Sequence, residues 1–318
     1  MPTEIAWHAS HEELPPDRLL ELAVRAEQAG FDGVHSSDHL APWFPDGESG
    51  HAWSWLGAAM ARTHVPFGVV TAPGQRYHPV VHAQAIATLA RLFPGRLTVS
   101  LGSGEATNEH VTGDPWPEKP ARNARLATCA GLFRDLLAGE TVDCDDPVVH
   151  RGRLYSLPDQ PPRLFAAAMT PETAAEVAGW ADGLITVGSD PDAVRRVVDA
   201  FREHGGDSLP VHLQVHVAWA ADDEAAQRLA VMRWPVNALP PAQTQDLETP
   251  EEVARAVAGV DPATILSTMV ASADLDRHVT RLAELCEIGL ERLVVHQVGP
   301  DQAEFIDVFA QHVLPRLR

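Results

Sequence analysis

The feature that most constrains the fold of this sequence is a regular alternation of short β-branched runs with longer amphipathic runs. The first kind of run predicts β-strands, and the second predicts the crossover helices that join parallel strands. Eight strands in alternation with helices favour a closed (β/α)8 barrel, also called a TIM barrel, over an open sheet. The predicted strands are Ile5 to Ala9, Gly33 to Ser37, Phe67 to Thr71, Leu97 to Leu101, Leu164 to Ala168, Gly183 to Val187, Val211 to Val217 and Arg292 to Gln297.

Two segments interrupt the alternation of strands and helices. Residues 142–162 have the pattern of a β-hairpin, and residues 234–262 begin with the proline-rich, irregular run WPVNALPPAQTQDLETP. Long irregular excursions are uncommon in compact domains and are usually functional. We therefore predict a single barrel domain over residues 1–318, with both segments inserted near the mouth of the barrel rather than serving as domain linkers.

The charge balance limits the partners of the protein. The chain has 24 Lys and Arg against 44 Asp and Glu, which gives a formal net charge of −20. Such a charge repels phosphate backbones and anionic lipid, so we expect a small-molecule substrate, no nucleic acid and no membrane partner. Cys129, Cys144 and Cys286 form neither a disulfide framework nor a zinc pattern, and no metal is expected. No leader-like or membrane-spanning run is apparent, which predicts a cytoplasmic location.

The end of the second predicted strand combines ionisable groups with aromatic bulk. Asp38 and His39 follow this strand directly, and Trp43 and Phe44 come shortly after them. In (β/α)8 barrels the active site lies at the carboxyl ends of the strands. A carboxylate can orient an imidazole that titrates near neutrality, and ligand cavities combine apolar walls with a few polar groups. The alternative is that Asp38 caps a turn and His39 lies on the surface.

The end of the fourth predicted strand is the run LGSGEATNE, residues 101–109. Gly102 and Gly104 permit a ligand to approach the backbone, and Glu105 can donate or accept a proton. The dinucleotide-binding fingerprint GxGxxG is incomplete, because Thr107 stands where the third glycine is required. The alternative is a strand-to-helix turn with a solvated glutamate.

Several runs in this order resemble the luciferase-like flavin and deazaflavin oxidoreductases nearly end to end. The runs are SSDHLAPW, RYHP, FPGRL, LGSGEATNE, WADGLIT and VVHQVGPDQAEFIDVF. The chain resembles most the branch of glucose-6-phosphate dehydrogenases that use coenzyme F420, and its HASHE, AWSWLG and APGQRYHP runs are similar to a sister group that uses ordinary flavin. The resemblance implies a barrel whose mouth holds an isoalloxazine-like ring, and hydride transfer between that ring and a small, uncharged organic substrate.

The resemblance also implies roles for individual residues. His39 corresponds to the active-site histidine beside the ring, Trp43 to the aromatic residue that shields it, and Glu105 to the acid that completes proton transfer. Val69 and Val70 correspond to a strand-end bulge that often contains a cis peptide bond in this family. Cofactor contacts are implied for Asp38, Val69, Val70, Ser103, Gly104, Ala106, Asn108, Ala167, Ala168 and Thr186.

The chain departs from this family pattern at two places. Met169 and Thr170 stand where the deazaflavin dehydrogenases have a Gly-Gly pair that admits the cofactor phosphate, which slightly favours FMN over F420. Asp190 and Ser267 occupy positions where relatives hold a sugar phosphate with basic residues. An acidic residue repels phosphate, so glucose 6-phosphate is not the expected substrate.

Other functions remain open at the level of the sequence. With FMN, the protein could be a monooxygenase that uses reduced flavin and oxygen, or a flavin-binding protein without turnover. A metal-dependent barrel hydrolase is a further alternative because the chain has 16 histidines, although no strand-end HxH motif or two-metal ligand set accompanies them. A homodimer is compatible with the sequence, but no motif specifies one.

Overall fold

Eight parallel strands close into a barrel in the computed structural model, which describes residues 2–318. The strands are β1 Glu4–Ala9, β2 Gly33–Ser37, β3 Phe67–Thr71, β4 Leu97–Leu101, β5 Val142–Asp145, β6 Val148–Gly152, β7 Arg163–Ala167, β8 Leu184–Val187, β9 Val211–Ala218, β10 Val270–Ala271 and β11 Arg292–Gln297. The barrel order is β1-β2-β3-β4-β7-β8-β9-β11, and β11 returns to pair with β1. The predicted (β/α)8 fold is confirmed, and each predicted strand matches to within one residue at either end.

The helices surround this barrel and bury their apolar faces against it. They are α1 Pro16–Ala29, α2 Ala52–Arg62, α3 Pro79–Leu92, α4 Ala106–Glu109, α5 Lys119–Leu137, α6 Pro171–Val177, α7 Pro191–Phe201, α8 Asp223–Arg233, α9 Pro241–Thr244, α10 Pro250–Val257, α11 Pro262–Leu266, α12 Leu275–Cys286, α13 Gln302–His312 and α14 Leu314–Leu317. Many begin with proline, whose missing N–H costs nothing in the first turn. In the part of the chain that the structure describes, every helix is too short or too polar to cross a bilayer.

The first inserted segment forms the predicted hairpin on the outer wall of the barrel. Strands β5 and β6 pair antiparallel. The segment packs against α3, where His78 Nε2 lies 3.0 Å from the Val148 carbonyl oxygen and Arg91 donates to the Leu157 carbonyl oxygen at 2.6 Å. Because α5 returns the chain to the amino-terminal ends of the strands, the hairpin starts at the foot of the barrel. It contributes no residue to the cavities at the mouth, so the prediction that this segment belongs to the mouth is wrong.

The second inserted segment covers the mouth of the barrel. After α8 it runs through a 3-10 turn over Pro235–Ala238 into α9 and α10. Several hydrogen bonds attach its residues 245–247 to the region after β4. Ala106 N donates to the Gln245 carbonyl oxygen at 2.9 Å, Thr107 Oγ1 to the Leu247 carbonyl oxygen at 2.6 Å, and Trp116 Nε1 to Asp246 Oδ1 at 3.0 Å. The segment is thereby held over the strand ends.

Histidines line the interior of the barrel together with aliphatic side chains. The rings of His8 and His296 lie 4.5 Å apart, those of His216 and His296 5.0 Å apart, and those of His8 and His35 6.1 Å apart. Gly68 makes room for this row, because a Cβ there would come within 2.1 Å of His35 Cδ2. Burial, reinforced by the neighbouring histidines, lowers the pKa of His8 and His216 well below its ordinary value. Those two side chains are therefore neutral at physiological pH.

Candidate active site

His39 lies between two carboxylates at the mouth of the barrel. Its Nδ1 is 2.6 Å from Glu12 Oε1, and its Nε2 is 3.7 Å from Glu105 Oε2. Ser10 Oγ donates to the other oxygen of Glu12 at 2.8 Å and fixes that carboxylate. Glu12 follows β1, His39 follows β2 and Glu105 follows β4. Three strands that are distant in sequence therefore bring their carboxyl-terminal residues to one point.

The carboxylates keep His39 charged. Burial alone would lower the pKa of His39, but the charge and hydrogen bond of Glu12, with a smaller contribution from Glu105, raise it to about 9. Burial would likewise raise the pKa of Glu12, but the charge and hydrogen bond of His39 lower it to about 2. Burial raises the pKa of the Glu105 carboxyl. At neutral pH the pair is thus an imidazolium beside a carboxylate, with a second acidic group that holds its proton more tightly than usual.

Asp38 is buried beside this group and is held by the protein itself. Its Oδ2 accepts from Trp53 Nε1 at 3.0 Å and from Thr71 Oγ1 at 2.8 Å, and its Oδ1 accepts from the Tyr77 hydroxyl at 3.1 Å. The Arg76 guanidinium donates to the Asp38 carbonyl oxygen at 2.8 Å. These contacts tie the end of β2 to α2 and to the loop after β3. Asp38 is therefore more than a turn cap, and it holds His39 in place.

Two cavities meet at His39. The glycine cavity, of about 170 Å³, includes Gly102, Ser103, Gly104, Asn108, Lys119, Thr170 and Gln245 in its wall. The tryptophan cavity, of about 280 Å³, includes Trp43, Ile185, Gln214, His216, Trp234, Asn237 and Leu239. Both are lined by His39, Val70, Glu105, Ala167, Ala168, Met169 and Pro241. A larger cavity of about 540 Å³ lies apart from this site, between α8, α11 and α12.

The structure brings most of the predicted site residues to these two cavities. His39, Glu105, Val70, Ala167 and Ala168 line both. Trp43 and Thr186 line the tryptophan cavity, and the ring of Trp43 stands edge-on to that of His39 with 5.4 Å between centroids. Asp38, Ser103, Gly104 and Asn108 line the glycine cavity. Their predicted contacts with a cofactor stay predictions.

Two predicted site residues lie elsewhere. Val69 is fully buried in the core, because successive residues of a strand point to opposite faces and Val70 is the one that faces the cavities. Ala106 is fully buried, and its N–H already donates to the Gln245 carbonyl oxygen.

The peptide bond between Val69 and Val70 is also not cis. Within residues 2–318 the cis peptide bond is Asp146–Pro147. Val69 and Val70 keep regular parallel pairing with β2 and β4, so the structure contains no bulge at this place.

Sequence reasoning missed Glu12 and the residues of the second inserted segment. Glu12 had a usable signal, because it stands just after β1, at a strand end like those that pointed to His39 and Glu105. Trp234 and Asn237 had a weaker signal, because apolar residues do not recur at a regular spacing in the run that contains them. Within the described residues, no group of three His, Cys, Asp or Glu side chains is placed to hold a metal ion, so the geometry offers no support for a metal-dependent hydrolase.

The closed (β/α)8 barrel carries a charged histidine, a buried acid and aromatic rings where its two cavities meet. This is the arrangement of an enzyme equipped for proton transfer at the mouth of its barrel. The sequence profile of the family described as luciferase-like monooxygenase matches residues 1–292. The chain belongs to that family and is an oxidoreductase, as the motifs predict.

Three relatives illustrate the likeness. The chain is 34% identical over 331 residues to an F420-dependent glucose-6-phosphate dehydrogenase of Microbacterium testaceum, covering 100% of this chain and 98% of that protein. It is 37% identical over 326 residues to the protein of that name from Beutenbergia cavernae, covering 99% and 97%. The fold is similar to that of an F420-dependent secondary alcohol dehydrogenase solved with an F420-acetone adduct, with a TM-score of 0.90, 29% identity and full coverage of both chains. All three names specify F420, so they give no support to the predicted preference for FMN over F420 as the cofactor.

Proposed function

We propose that the protein is an F420-dependent dehydrogenase that transfers a hydride between the deazaflavin and the carbinol carbon of an uncharged secondary alcohol. One observation carries the proposal. His39, kept charged by Glu12, lies where a cavity with a glycine-rich wall meets a cavity with an aromatic wall, and no lysine or arginine of the described residues lines the second cavity. The relatives that use F420, and above all the structurally similar secondary alcohol dehydrogenase, support the choice of cofactor and substrate class.

The residues of the glycine cavity fit a ring with an anionic tail. Gly104 has φ of 87°, and a Cβ there would lie 3.2 Å from Glu109 Cγ, so only glycine leaves the backbone open at this point. Lys119, the only lysine in the sequence, lines the same cavity and can neutralise a phosphate. When bound, the deazaflavin ring accepts or returns a hydride.

Two further residues bear on the fit of that ring. Thr186 Oγ1 is buried on the wall of the tryptophan cavity with no partner in the described residues, and it can satisfy a polar edge of the ring. Met169, which stands in place of a glycine, is 49% exposed. Because its side chain is flexible, it does not close the approach.

The tryptophan cavity suits an uncharged, partly apolar substrate. Among residues 2–318, no lysine or arginine lines it. Asp190 caps α7 by accepting from Asp192 N, and Ser267 donates to the Thr264 carbonyl oxygen. Neither residue supplies the positive charge that a sugar phosphate requires. A phosphorylated sugar would lose the water around its charge without gaining a partner. Glucose 6-phosphate is therefore not the substrate that we propose.

His39 moves the proton that accompanies the hydride. In the direction of ketone reduction, the imidazolium donates its Nε2 proton to the carbonyl oxygen. In the direction of alcohol oxidation, the neutral imidazole accepts the hydroxyl proton at the same atom. Glu12 holds the ring through Nδ1 in both directions, and Glu105 serves the cofactor side. A positioned acid or base of this kind contributes roughly 10²- to 10⁴-fold in rate.

Replacement of His39 tests the proposal. We expect His39→Ala to slow the single-turnover reduction of F420 by 2-propanol by about 10²- to 10⁴-fold. His150→Ala is a matched control, because His150 lies on the outer hairpin with its side chain 85% exposed, and it should react at the wild-type rate. An undiminished rate in His39→Ala would remove His39 from the mechanism. Titrations of the wild-type protein with F420 and with FMN, followed by fluorescence, report binding without turnover, and the absence of any F420 binding would overturn the choice of cofactor.

The description of the family favours one alternative, an FMN-dependent monooxygenase that works at the same site. A dehydrogenase turns over without oxygen, whereas a monooxygenase consumes one oxygen molecule per product. Anaerobic assays with F420, beside oxygen-uptake assays with reduced FMN, separate the two functions. Turnover that requires oxygen would replace the proposed function with the alternative.

A further inference from the structure

One part of the wall of the tryptophan cavity is built from a histidine and two side-chain amides. His216 extends from β9, its Nδ1 lies 2.9 Å from Asn237 Nδ2, and its Nε2 lies 3.4 Å from Gln214 Nε2. Gln214, on the same strand, and Asn237, on the second inserted segment, both line the cavity. No other hydrogen bond within residues 2–318 engages either side-chain amide.

These three side chains have more hydrogen-bond donors and acceptors than they can use on one another. A neutral imidazole has one nitrogen that accepts and one that donates. Because an amide nitrogen can only donate, His216 can accept from one of the two amides, and the other amide must turn its oxygen toward the ring. In either arrangement, one amide keeps its oxygen free and the other keeps its NH₂ group free. This part of the wall therefore offers one acceptor and one donor, whichever tautomer His216 adopts.

A hydroxyl group matches this pair, because it donates one hydrogen bond and accepts others. A carboxylate or phosphate only accepts and carries a negative charge, whereas no lysine or arginine of residues 2–318 lines the cavity and the charge of His39 is already paired with Glu12. An ammonium group only donates. The rest of the cavity wall includes the apolar side chains of Trp43, Trp234 and Leu239.

We infer that Gln214, His216 and Asn237 form a specificity site that holds a second, uncharged hydroxyl group of the substrate. This inference rests on the proposed function and narrows it. The substrate is a secondary alcohol whose reacting carbinol lies at His39 and whose second hydroxyl lies across an apolar body, at the amides. The burial that keeps His216 neutral preserves this donor and acceptor pair at physiological pH.

A matched pair of substrates tests the inference. The probes are trans-1,4-cyclohexanediol and 4-methylcyclohexanol, in which a methyl group replaces the second hydroxyl at similar size. We expect the wild-type kcat/KM to be about tenfold higher for the diol, which corresponds to about one hydrogen bond to a polar group. In Asn237→Leu, which removes the amide at similar volume, the ratio of the two kcat/KM values should fall to about one.

Asn123→Leu is the control for the chemical change. Asn123 lies on α5, outside the barrel, where it donates to Glu176, and its replacement should keep the wild-type ratio. Gln214→Met is the second variant if Asn237→Leu does not fold, as judged by circular dichroism. Equal kcat/KM for the two probes in the wild-type protein, or an undiminished ratio in the variants, would overturn the inference.

Binding measurements separate this inference from the proposed function. The two probes are titrated into the protein without cofactor, and tryptophan fluorescence is followed because Trp43 and Trp234 line the cavity. If neither probe is oxidised but the diol binds about tenfold more tightly, and Asn237→Leu abolishes that preference, the site stands and the dehydrogenase function falls. If both probes are oxidised and bound equally well, the dehydrogenase function stands and the site falls.

Discussion

Two neighbouring glutamates after β1 each hold a histidine, and the two pairs differ in their access to a ligand. Glu12 points to the mouth and contacts His39, whose side chain is 18% exposed on the cavity wall. Glu13 points inward, where its Oε2 lies 2.9 Å from Nε2 of the fully buried His296 and its Oε1 accepts from Gly299 N at 2.6 Å. In the proposed function the outer pair therefore serves proton transfer while the inner pair serves attachment, and access to the cavities is what separates them.

The inner pair also supports the outer one. His296 packs against His8, His216 and Trp234, three side chains that line the tryptophan cavity. Glu13 thus joins the loop after β1 to β11 and to the loop that follows it. A change in Glu13 should act on stability, whereas a change in Glu12 should act on proton transfer.

The largest expected effect is that of Glu12→Gln on turnover. Loss of the carboxylate charge removes the largest contribution that raises the pKa of His39 and leaves only that of Glu105 against burial, so less imidazolium is present at neutral pH. We expect kcat for ketone reduction at pH 7 to fall by about 10²-fold or more. Steady-state assays of the two glutamine variants side by side give the measurement. Equal losses in Glu12→Gln and Glu13→Gln would break the distinction between the pairs.

The pH dependence of turnover sharpens the comparison. Because the pKa of His39 is about 9, ketone reduction should be level below that pH and fall about tenfold per unit above it, as the imidazolium is lost. Alcohol oxidation requires the neutral ring and should show the opposite slope. The midpoint should move to lower pH in Glu12→Gln and stay near 9 in Glu13→Gln. Rate profiles with a common midpoint in both variants would contradict the assignment.

The smallest expected effect is on the stability of the fold. Glu13→Gln replaces a buried acceptor of two hydrogen bonds with an amide that can accept only through its single oxygen. We expect a loss of about 1 to 3 kcal/mol in the free energy of unfolding, measured by urea denaturation. An unchanged unfolding midpoint would show that the inner pair does not anchor the loops.

The parts of the molecule that were predictable are those with local signals. Strand boundaries follow from β-branched runs, and His39 and Glu105 follow from their places after strands. Val69 was misplaced because a family motif names a stretch of chain, whereas the alternation along the strand decides which residue faces the cavity. The N–H of Ala106 is engaged by Gln245, far along the chain, and nothing near Ala106 in the sequence indicates that partner. Asn237 lies in a run without periodicity, so only the folded chain shows that it meets His216.

In the second inserted segment, the residues that line the tryptophan cavity precede the residues that attach the segment. Val236, Asn237, Leu239 and Pro241 line the tryptophan cavity, while Gln245, Asp246 and Leu247 carry the hydrogen bonds to the region after β4. Variation between 236 and 241 therefore alters the surface that a substrate meets and leaves the anchoring bonds intact. For directed evolution, these few codons form a compact library in which new substrate ranges can be selected on an unchanged barrel.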